Sequence, residues 1–249
     1  MELQHRSPQA IQHTSLSAQL HYRPLELRDY EELKELHSRL FPIDYDDLFF
    51  QKAVRSQDRI FSWAAIACNA VTGNSQLVGF VTARCLQLHE CDITDRDFMG
   101  LASRHAEQRP VVYVLTLGVT ETLRGQGVGR CLLGFVHQHG ISVGAAMIFL
   151  HVISYNTPAI QLYSRMLYKC VGQLHSFYFI QSGRQPIQGQ QYFDAYLYVL
   201  FLPDPWAPPR GPWDSVIDYA AAPLPLVSGT LQRVFTLAQQ VIKRSECML

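Results

Sequence analysis

The sequence predicts an α/β (α+β) domain, a sheet with flanking helices, followed by an amphipathic helical tail. Three observations carry that prediction. Across residues 20–202, β-rich runs alternate with segments of helical period. A glycine-rich stretch, RGQGVG (124–129), joins an apolar strand to an apolar helix. A proline-dense stretch, LPDPWAPPRGPW (202–213), then separates this region from a last amphipathic segment.

The elements follow in order. LHYRPL (20–25) alternates as a short strand. Asp29 is placed to cap a helix carrying Leu33, Leu36 and Leu40 on one face. FPIDYDDLFFQKAV (41–54) opens on a turn and continues as a second helix. FSWAAIAC (61–68) and LVGFVTARCLQL (77–88), separated by NAVTGNSQ, read as a hairpin. Residues 89–110 are polar and irregular and read as a loop. VVYVLTLGV (111–119) and MIFLHVI (147–153) are apolar enough for buried strands, with the glycine stretch and a helix between them. NTPAIQLYSRML (156–167) is a helix with Pro158 in its first turn, where proline is tolerated. Two further strands are expected near 173–181 and 192–202. The domain boundaries expected are therefore a disordered 1–19, a folded 20–202, a semi-rigid linker 203–213 and a tail 214–249.

Composition bounds the function. Of 249 residues, 48% are hydrophobic, enough for one sizeable core. Lys+Arg and Asp+Glu both count 21, so the basic excess of a nucleic-acid binder is missing. The six cysteines form no C-x-x-C pair and read as reduced thiols of a cytosol-facing protein. The first residues have no apolar core for a signal peptide, and no run reaches the ~18 residues of a spanning helix. Glu2 excludes myristoylation, and Cys247 stands one place too late for a prenylation box. HECD (89–92) has ligand-type residues but no second cluster, so no metal is expected. A hydrolase nucleophile motif, G-x-S-x-G, is absent from the sequence.

The glycine stretch calls for an anionic ligand. A strand, a glycine loop and a helix N-terminus together aim backbone N–H groups and the positive end of the helix dipole at one point. A phosphate or pyrophosphate suits that point. A phosphate-binding P-loop would end in Gly-Lys-Ser/Thr, whereas Gly129-Arg130-Cys131 stands here. A dinucleotide fingerprint needs G-x-G-x-x-G, and Gly125, Gly127 and Gly129 give G-x-G-x-G. The pattern that fits is R-x-x-G-x-G: Arg124, Gly127 and Gly129.

With YVLTLGV before that pattern and LHVISYNTPAIQLY after it, residues 20–202 resemble the GCN5-related N-acetyltransferase (GNAT) superfamily. The resemblance implies a single mixed, mostly antiparallel twisted sheet and acetyl-CoA as co-substrate. The pyrophosphate would lie on Arg124, Gly125, Gln126, Gly127, Val128 and Gly129. FPIDY (41–45) narrows it: together with YVLTLGV, RGQGVG and LHVISYN it is similar to the NatF-type N-alpha-acetyltransferases, membrane-associated enzymes that acetylate protein N-termini. That family usually has Glu where Asp44 stands, which keeps the charge and shortens its reach. The proline that often follows the central strand in the superfamily is replaced here by Thr120-Glu121.

The resemblance implies the site residues. Tyr113 and His151, on two strands expected to splay, match the family's catalytic pair. Taken singly, His151 reads as a core histidine and Tyr113 as a packing aromatic; the joint match favours function. Backbone N–H groups at Leu117, Gly118 and Val119 would polarise the thioester carbonyl. Asn156 would bond the pantetheine arm, and Tyr163, equally readable as core, would lie near the CoA sulfur. Phe41, Pro42, Ile43 and Asp44, with Tyr178, would form the substrate pocket, in keeping with Met-starting N-termini. An α-amino group, with a pKa of about 7.7–8.0, is partly neutral near pH 7, whereas a lysine at about 10.4 is not, so modest bases suffice. Acetylation of lysines or small amines by the same fold, and a non-catalytic CoA-binding scaffold on a membrane, are the alternative readings.

The tail suggests an anchor. Val227, Leu231, Val234, Phe235, Ala238, Val241 and Ile242 fall at spacings of three and four, with Arg233, Lys243 and Arg244 beside them. Residues 214–244 are expected to lie on a membrane surface, and the resemblance implies the cytosolic face of the Golgi or of the plasma membrane. A monomer is expected.

Overall fold

The computed structural model describes residues 19–69, 73–99, 109–181, 183–184 and 187–203. The expected disordered segment 1–19 (apart from Gln19), the linker beyond Pro203 and the whole tail therefore lie outside the described residues.

Seven strands form one sheet in the order β1-β2-β3-β4-β5-β7-β6. They are β1 (Gln19–Pro24), β2 (Ile60–Cys68), β3 (Ser75–Leu86), β4 (Val111–Val119), β5 (Met147–Ile153), β6 (Lys169–Phe179) and β7 (Tyr192–Phe201). Every pairing is antiparallel except β4 with β5. The helices are α1 (Tyr30–Leu40), α2 (Asp47–Arg55), α3 (Ile93–Met99), α4 (Val128–Ser142) and α5 (Thr157–Arg165). The β2–β3 hairpin has the expected form, from Ile60 opposite Arg84 to Cys68 opposite Ser75.

Strand period two sorts the side chains onto two faces. Trp63 and Ala65 of β2, Val112 and Val114 of β4, and Ile148, Leu150 and Val152 of β5 meet Leu132, Leu133 and Val136 of α4. Tyr163 and Met166, at the end of α5, join the same layer. On the other face, Ala64 and Ile66 pack with Leu33 and Leu36 of α1 and Phe50 and Val54 of α2. Further along that face, Val111, Met147, Phe149, Leu197 and Val199 are covered by Met99 of α3. Tyr113 and His151 share the parity of Val111 and Met147, so they point to the α3 side.

Two expectations are corrected. Residues 89–110 are not simply a loop, because a 3-10 turn at Leu88–Glu90 and α3 stand within them. Asp92 starts the helix by accepting from Thr94 N at 2.8 Å. Asp29 precedes α1 but makes no side-chain cap there. Its carboxylate takes Arg23 in two contacts, at 2.6 and 2.7 Å, and accepts from Glu26 N at 2.7 Å. A guanidinium fork outcompetes the helix amides because both partners are charged. The capping work falls instead to Asp46 on α2 and Asn156 on α5, through Phe49 N at 2.8 Å and Ala159 N at 3.3 Å.

Candidate active site

The site begins where β4 and β5 part. They pair only from Val111 opposite Met147 to Tyr113 opposite Phe149. Both strands continue, β4 to Val119 and β5 to Ile153, without further pairing to each other. A register shift against β3, with Thr116 opposite Thr82 and Val114 opposite Ala83, leaves Leu115 as an extra residue in β4. Such a bulge bends one strand and opens a wedge against its neighbour. The β4 backbone between Val114 and Val119 thus has a free edge on the β5 side.

A cavity of about 910 Å³ occupies the wedge. Leu117, Gly118, Val119, Arg124, Gly125, Gly127, Val128, Gly129, His151, Asn156 and Tyr163 line one part, and Phe41, Pro42, Ile43 and Tyr178 another. Three expected residues stay off the wall. Gln126 folds back, donating from Nε2 to Thr122 O at 3.0 Å. Asp44 reaches Arg184 instead. Tyr113 lies beneath, its hydroxyl turned to His151. Arg39, Arg124, Arg130 and Arg165 line the cavity, as does Arg184, whose charge is engaged by Asp44, and among the described residues no carboxylate lines it. That balance suits a polyanionic ligand.

The glycines serve two purposes. Gly125 and Gly127 have φ of +76° and +86°, a left-handed conformation that L side chains resist. A Cβ at either would meet nothing within 4 Å, so the loop presents bare backbone to open space. Gly127 is the N-cap of α4, whose first N–H groups and dipole face the same opening. Gly129 faces a neighbouring helix instead: a Cβ there would come within 3.2 Å of Leu162 on α5. Gly118 similarly admits α1, since a Cβ there would lie 2.9 Å from Leu40. Arg124 stays on its own loop, donating from Nε to Val119 O at 3.3 Å.

At the apex, three polar side chains stand in line. Tyr113 Oη lies 3.0 Å from His151 Nδ1. His151 Nε2 lies 2.9 Å from Asp95 Oδ1. The side chains of His151 and Asp95 are 4% and 8% exposed. A carboxylate accepts from Nε2–H, which leaves Nδ1 as the acceptor for the tyrosine O–H. The phenol oxygen donates its proton to Nδ1 and keeps its lone pairs. Burial, with Tyr45, Asp95 and Cys91 nearby, raises the Tyr113 pKa and keeps the phenol neutral. Phe177 stacks on the imidazole at 4.3 Å and Phe149 on the phenol at 4.7 Å, fixing both rings.

Asp95 was not expected. It belongs to α3, within the segment read as a loop, 56 residues before its partner. No local pattern marks it. The signal available was a carboxylate in a polar segment directly before a strand that carries a candidate base.

One of the expected assignments is refined. Tyr163 is 7% exposed and part of the core, its ring tilted against those of Tyr168 and Tyr198, while also facing the cavity. His137 and His139 serve structure. His137 lies 3.0 Å from Tyr168 Oη, and His139 lies on Phe61 with ring centroids 3.8 Å apart.

Comparison with known proteins agrees with this geometry. Residues 30–167 match the model of the Acetyltransferase (GNAT) family. The chain belongs to the GNAT family of acetyltransferases. Its fold, a mixed seven-stranded sheet with flanking helices, is the family's fold. A histone acetyltransferase of Arabidopsis thaliana, MCC1, is 38% identical over 191 residues, 76% of this chain and 72% of that protein. N-alpha-acetyltransferase 60 of Xenopus tropicalis is 32% identical over 194 residues, 77% and 71% of the two chains. The crystal structure of Arabidopsis thaliana NAA60 in complex with acetyl-CoA superposes with a TM-score of 0.65 at 38% identity, covering 74% of this chain and 99% of that one. The structure of the same protein with a bisubstrate analogue gives 0.64, covering 75% and 99%. Among the described residues no group of three or more metal-ligating side chains converges, and no helix is long and apolar enough to cross a membrane.

Proposed function

We propose that this acetyltransferase transfers acetyl from acetyl-CoA to the α-amino group of Met-starting protein N-termini. The observation that carries the reading is the Tyr113–His151–Asp95 line, set in a wedge of strands that faces an apolar wall of Phe41, Pro42 and Ile43. The similarity to N-alpha-acetyltransferase 60 proteins supports the class of amine.

Acetyl-CoA fits the residues present. Its pyrophosphate would meet the open backbone at Gly125 and Gly127 and the start of α4, with Arg124 and Arg130 adding charge. Asn156 spends its carbonyl on the α5 cap and would offer its amide N–H to the pantetheine arm. The free edge of β4 around Leu117–Val119 would give N–H groups to the thioester oxygen as charge develops there. The bound thioester supplies the electrophilic acetyl carbon.

The chain's own residues move the proton. As the amine nitrogen would bond to the acetyl carbon, the carbon–sulfur bond would break and release the CoA thiolate, while the amine proton would pass through water to Tyr113 Oη, which gives its own proton to His151 Nδ1. Asp95 holds the imidazole in the receptive tautomer and stabilises the cation formed, the role a buried carboxylate plays behind a catalytic histidine. The phenol need not ionise, which suits a group whose pKa burial raises.

Lysine acetylation is the second reading, favoured by the name of the MCC1 relative. A mixed library of unblocked Met-starting peptides and N-terminally blocked lysine peptides, incubated with acetyl-CoA and read by mass spectrometry, separates the two. Acetyl groups on the free N-termini support the proposal, and acetyl groups confined to lysine side chains defeat it.

The location is part of the proposal. The amphipathic stripe 227–242 with its basic neighbours supports peripheral binding to a membrane surface, and the resemblance to NatF-type enzymes supports the cytosolic face of the Golgi or plasma membrane as its place.

A further inference from the structure

We infer that Arg184 is a positioning residue for substrate selection, a strap that ties the β6–β7 connection to the α1–α2 loop and so sets the width of the first-residue pocket. The inference rests on the reading of this cavity as a site for protein N-termini.

The geometry is specific. One guanidinium engages three acceptors on the far loop: Ser38 O, Phe41 O at 2.9 Å, and Asp44 Oδ1. Those acceptors lie 140 to 146 residues away in sequence, so the contacts join separate parts of the chain. Ser38 is in the last turn of α1 and Phe41 is its C-cap, where carbonyls lack helical partners and the dipole favours a cation. Asp44 adds the opposite charge. Arginine fits this place because its planar fork can serve several acceptors at once, which an ammonium does less well.

The strapped loop is a pocket wall. Phe41, Pro42, Ile43 and Tyr45 line the cavity from it, while Arg184 and Tyr178 line the cavity from the β6–β7 side. From beneath, the loop rests on His37, whose ring stacks on Phe41 at 4.6 Å and meets Tyr45 edge-on at 4.9 Å. His37 is 1% exposed, and its Nε2 is buried without a hydrogen-bond partner. It therefore supports the loop as an aromatic surface and not as a polar tether. The polar fastening comes from outside, through Arg184. Asp44 accounts for the other half: it is absent from the cavity wall because its carboxylate is directed to the strap.

A strap of this kind acts on peptide binding and leaves the relay and the phosphate loop untouched. Arg184→Ala should raise KM for a Met-starting peptide roughly tenfold, the scale of lost hydrogen bonds to a charged group. Its kcat and its KM for acetyl-CoA should stay within about twofold, and its preference for Met over Ser as first residue should shrink. Arg184→Lys should recover part of the loss. Asp44→Ala should give a smaller rise, and the double variant should be no worse than Arg184→Ala alone, because both act through one contact. Hydrogen–deuterium exchange of residues 41–46 in the full chain gives a readout independent of turnover, and it should quicken in Arg184→Ala. Unchanged exchange overturns the strap. Quicker exchange with unchanged peptide KM overturns its role in selection. If the wild type acetylated no free N-terminus while exchange still quickened, the reading of the substrate would fail and the strap would stand.

Discussion

Tyr113 Oη and His151 Nδ1 stand 3.0 Å apart at the last point where β4 and β5 still pair. Tyr113 belongs to the final paired position, and His151 is two residues beyond its partner strand's last paired residue, Phe149. The side chains therefore bridge the mouth of the wedge, with the sheet intact behind them and open in front. Asp95 closes the line from α3.

This arrangement predicts the pattern of losses. In the proposed relay, Tyr113→Phe removes the oxygen that would take up the amine proton, and His151→Ala removes the acceptor behind it. Each should lower kcat about 10²-fold or more on a Met-starting peptide, the usual scale for a lost acid–base group. The double variant should fall little below the worse single one, since the two act as a unit. Asp95→Asn keeps the shape but loses the charge, and it should lower kcat while leaving the KM for acetyl-CoA unchanged. Steady-state kinetics with melting curves as a control measure this. Near-normal turnover in Tyr113→Phe and His151→Ala together would remove the relay.

The glycine loop makes a separate prediction. Gly127→Ala forces a side chain onto a φ of +86° and places a methyl group in the space the backbone now leaves open. Gly129→Ala instead presses on Leu162. Thermal shift with CoA should separate them. The wild type should gain melting temperature with CoA, because a ligand bound only by the folded state stabilises it. Gly127→Ala should lose that gain, whereas Gly129→Ala, whose methyl group meets Leu162 and not the open space, should keep more of it. A wild-type melting temperature indifferent to CoA would contradict the assignment of the loop.

Much of this was legible in the sequence, for identifiable reasons. Val111–Val119 and Met147–Ile153 were delimited to the residue, because strands buried on both faces leave continuous apolar runs. The R-x-x-G-x-G loop was legible because its glycines answer to backbone geometry. Asp95 and Arg184 were not. Each lies in a polar connecting segment and acts on a partner 56 or at least 140 residues distant, so nothing local distinguishes it from a solvated charge. α3 has seven residues, about two turns, too few for a helical period to declare itself. The sequence also could not tell which glycine turns the chain and which admits a neighbouring helix, since that depends on Leu162 and Leu40 arriving from elsewhere.

Acid should unfold this domain earlier than its carboxylates alone would suggest. Burial lowers the pKa of His37, His137 and His139 to about 4 each. In the unfolded chain each returns to about 6.5, so between those values the unfolded state binds more protons. Stability is then full above about pH 6.5 and declines as pH falls towards 4, by about 1.4 kcal/mol per pH unit for each histidine that stays neutral when folded. Urea midpoints measured from pH 7.5 down to 4.5 should show the decline. His139→Phe, which keeps an aromatic ring against Phe61, should make it shallower by about one proton. A flat profile above pH 5 would mean that these rings are hydrated in solution.

The last prediction concerns residues beyond the described fold. The stripe Val227, Leu231, Val234, Phe235, Ala238, Val241 and Ile242 would leave a wide apolar face in water if helical and unpartnered. Packing on the acetyltransferase domain is one way to cover it, but the prolines of 203–213 favour a tail that stands away from the domain. An apolar face edged by Arg233, Lys243 and Arg244 suits an anionic leaflet, where each cation near the surface contributes about 1 kcal/mol. Flotation with liposomes containing phosphatidylserine should carry the full chain upward, and raising the salt should weaken the effect. Val234→Asp combined with Phe235→Asp should leave the protein at the bottom of the gradient while acetylation of a free peptide in solution is unchanged. A 1–202 truncation should behave as the double variant does. Should that truncation float as well as the full chain, the membrane contact would belong to the folded domain, and the exposed aromatic residues of the β6–β7 hairpin, Phe177, Phe179 and Tyr192, would be the place to look.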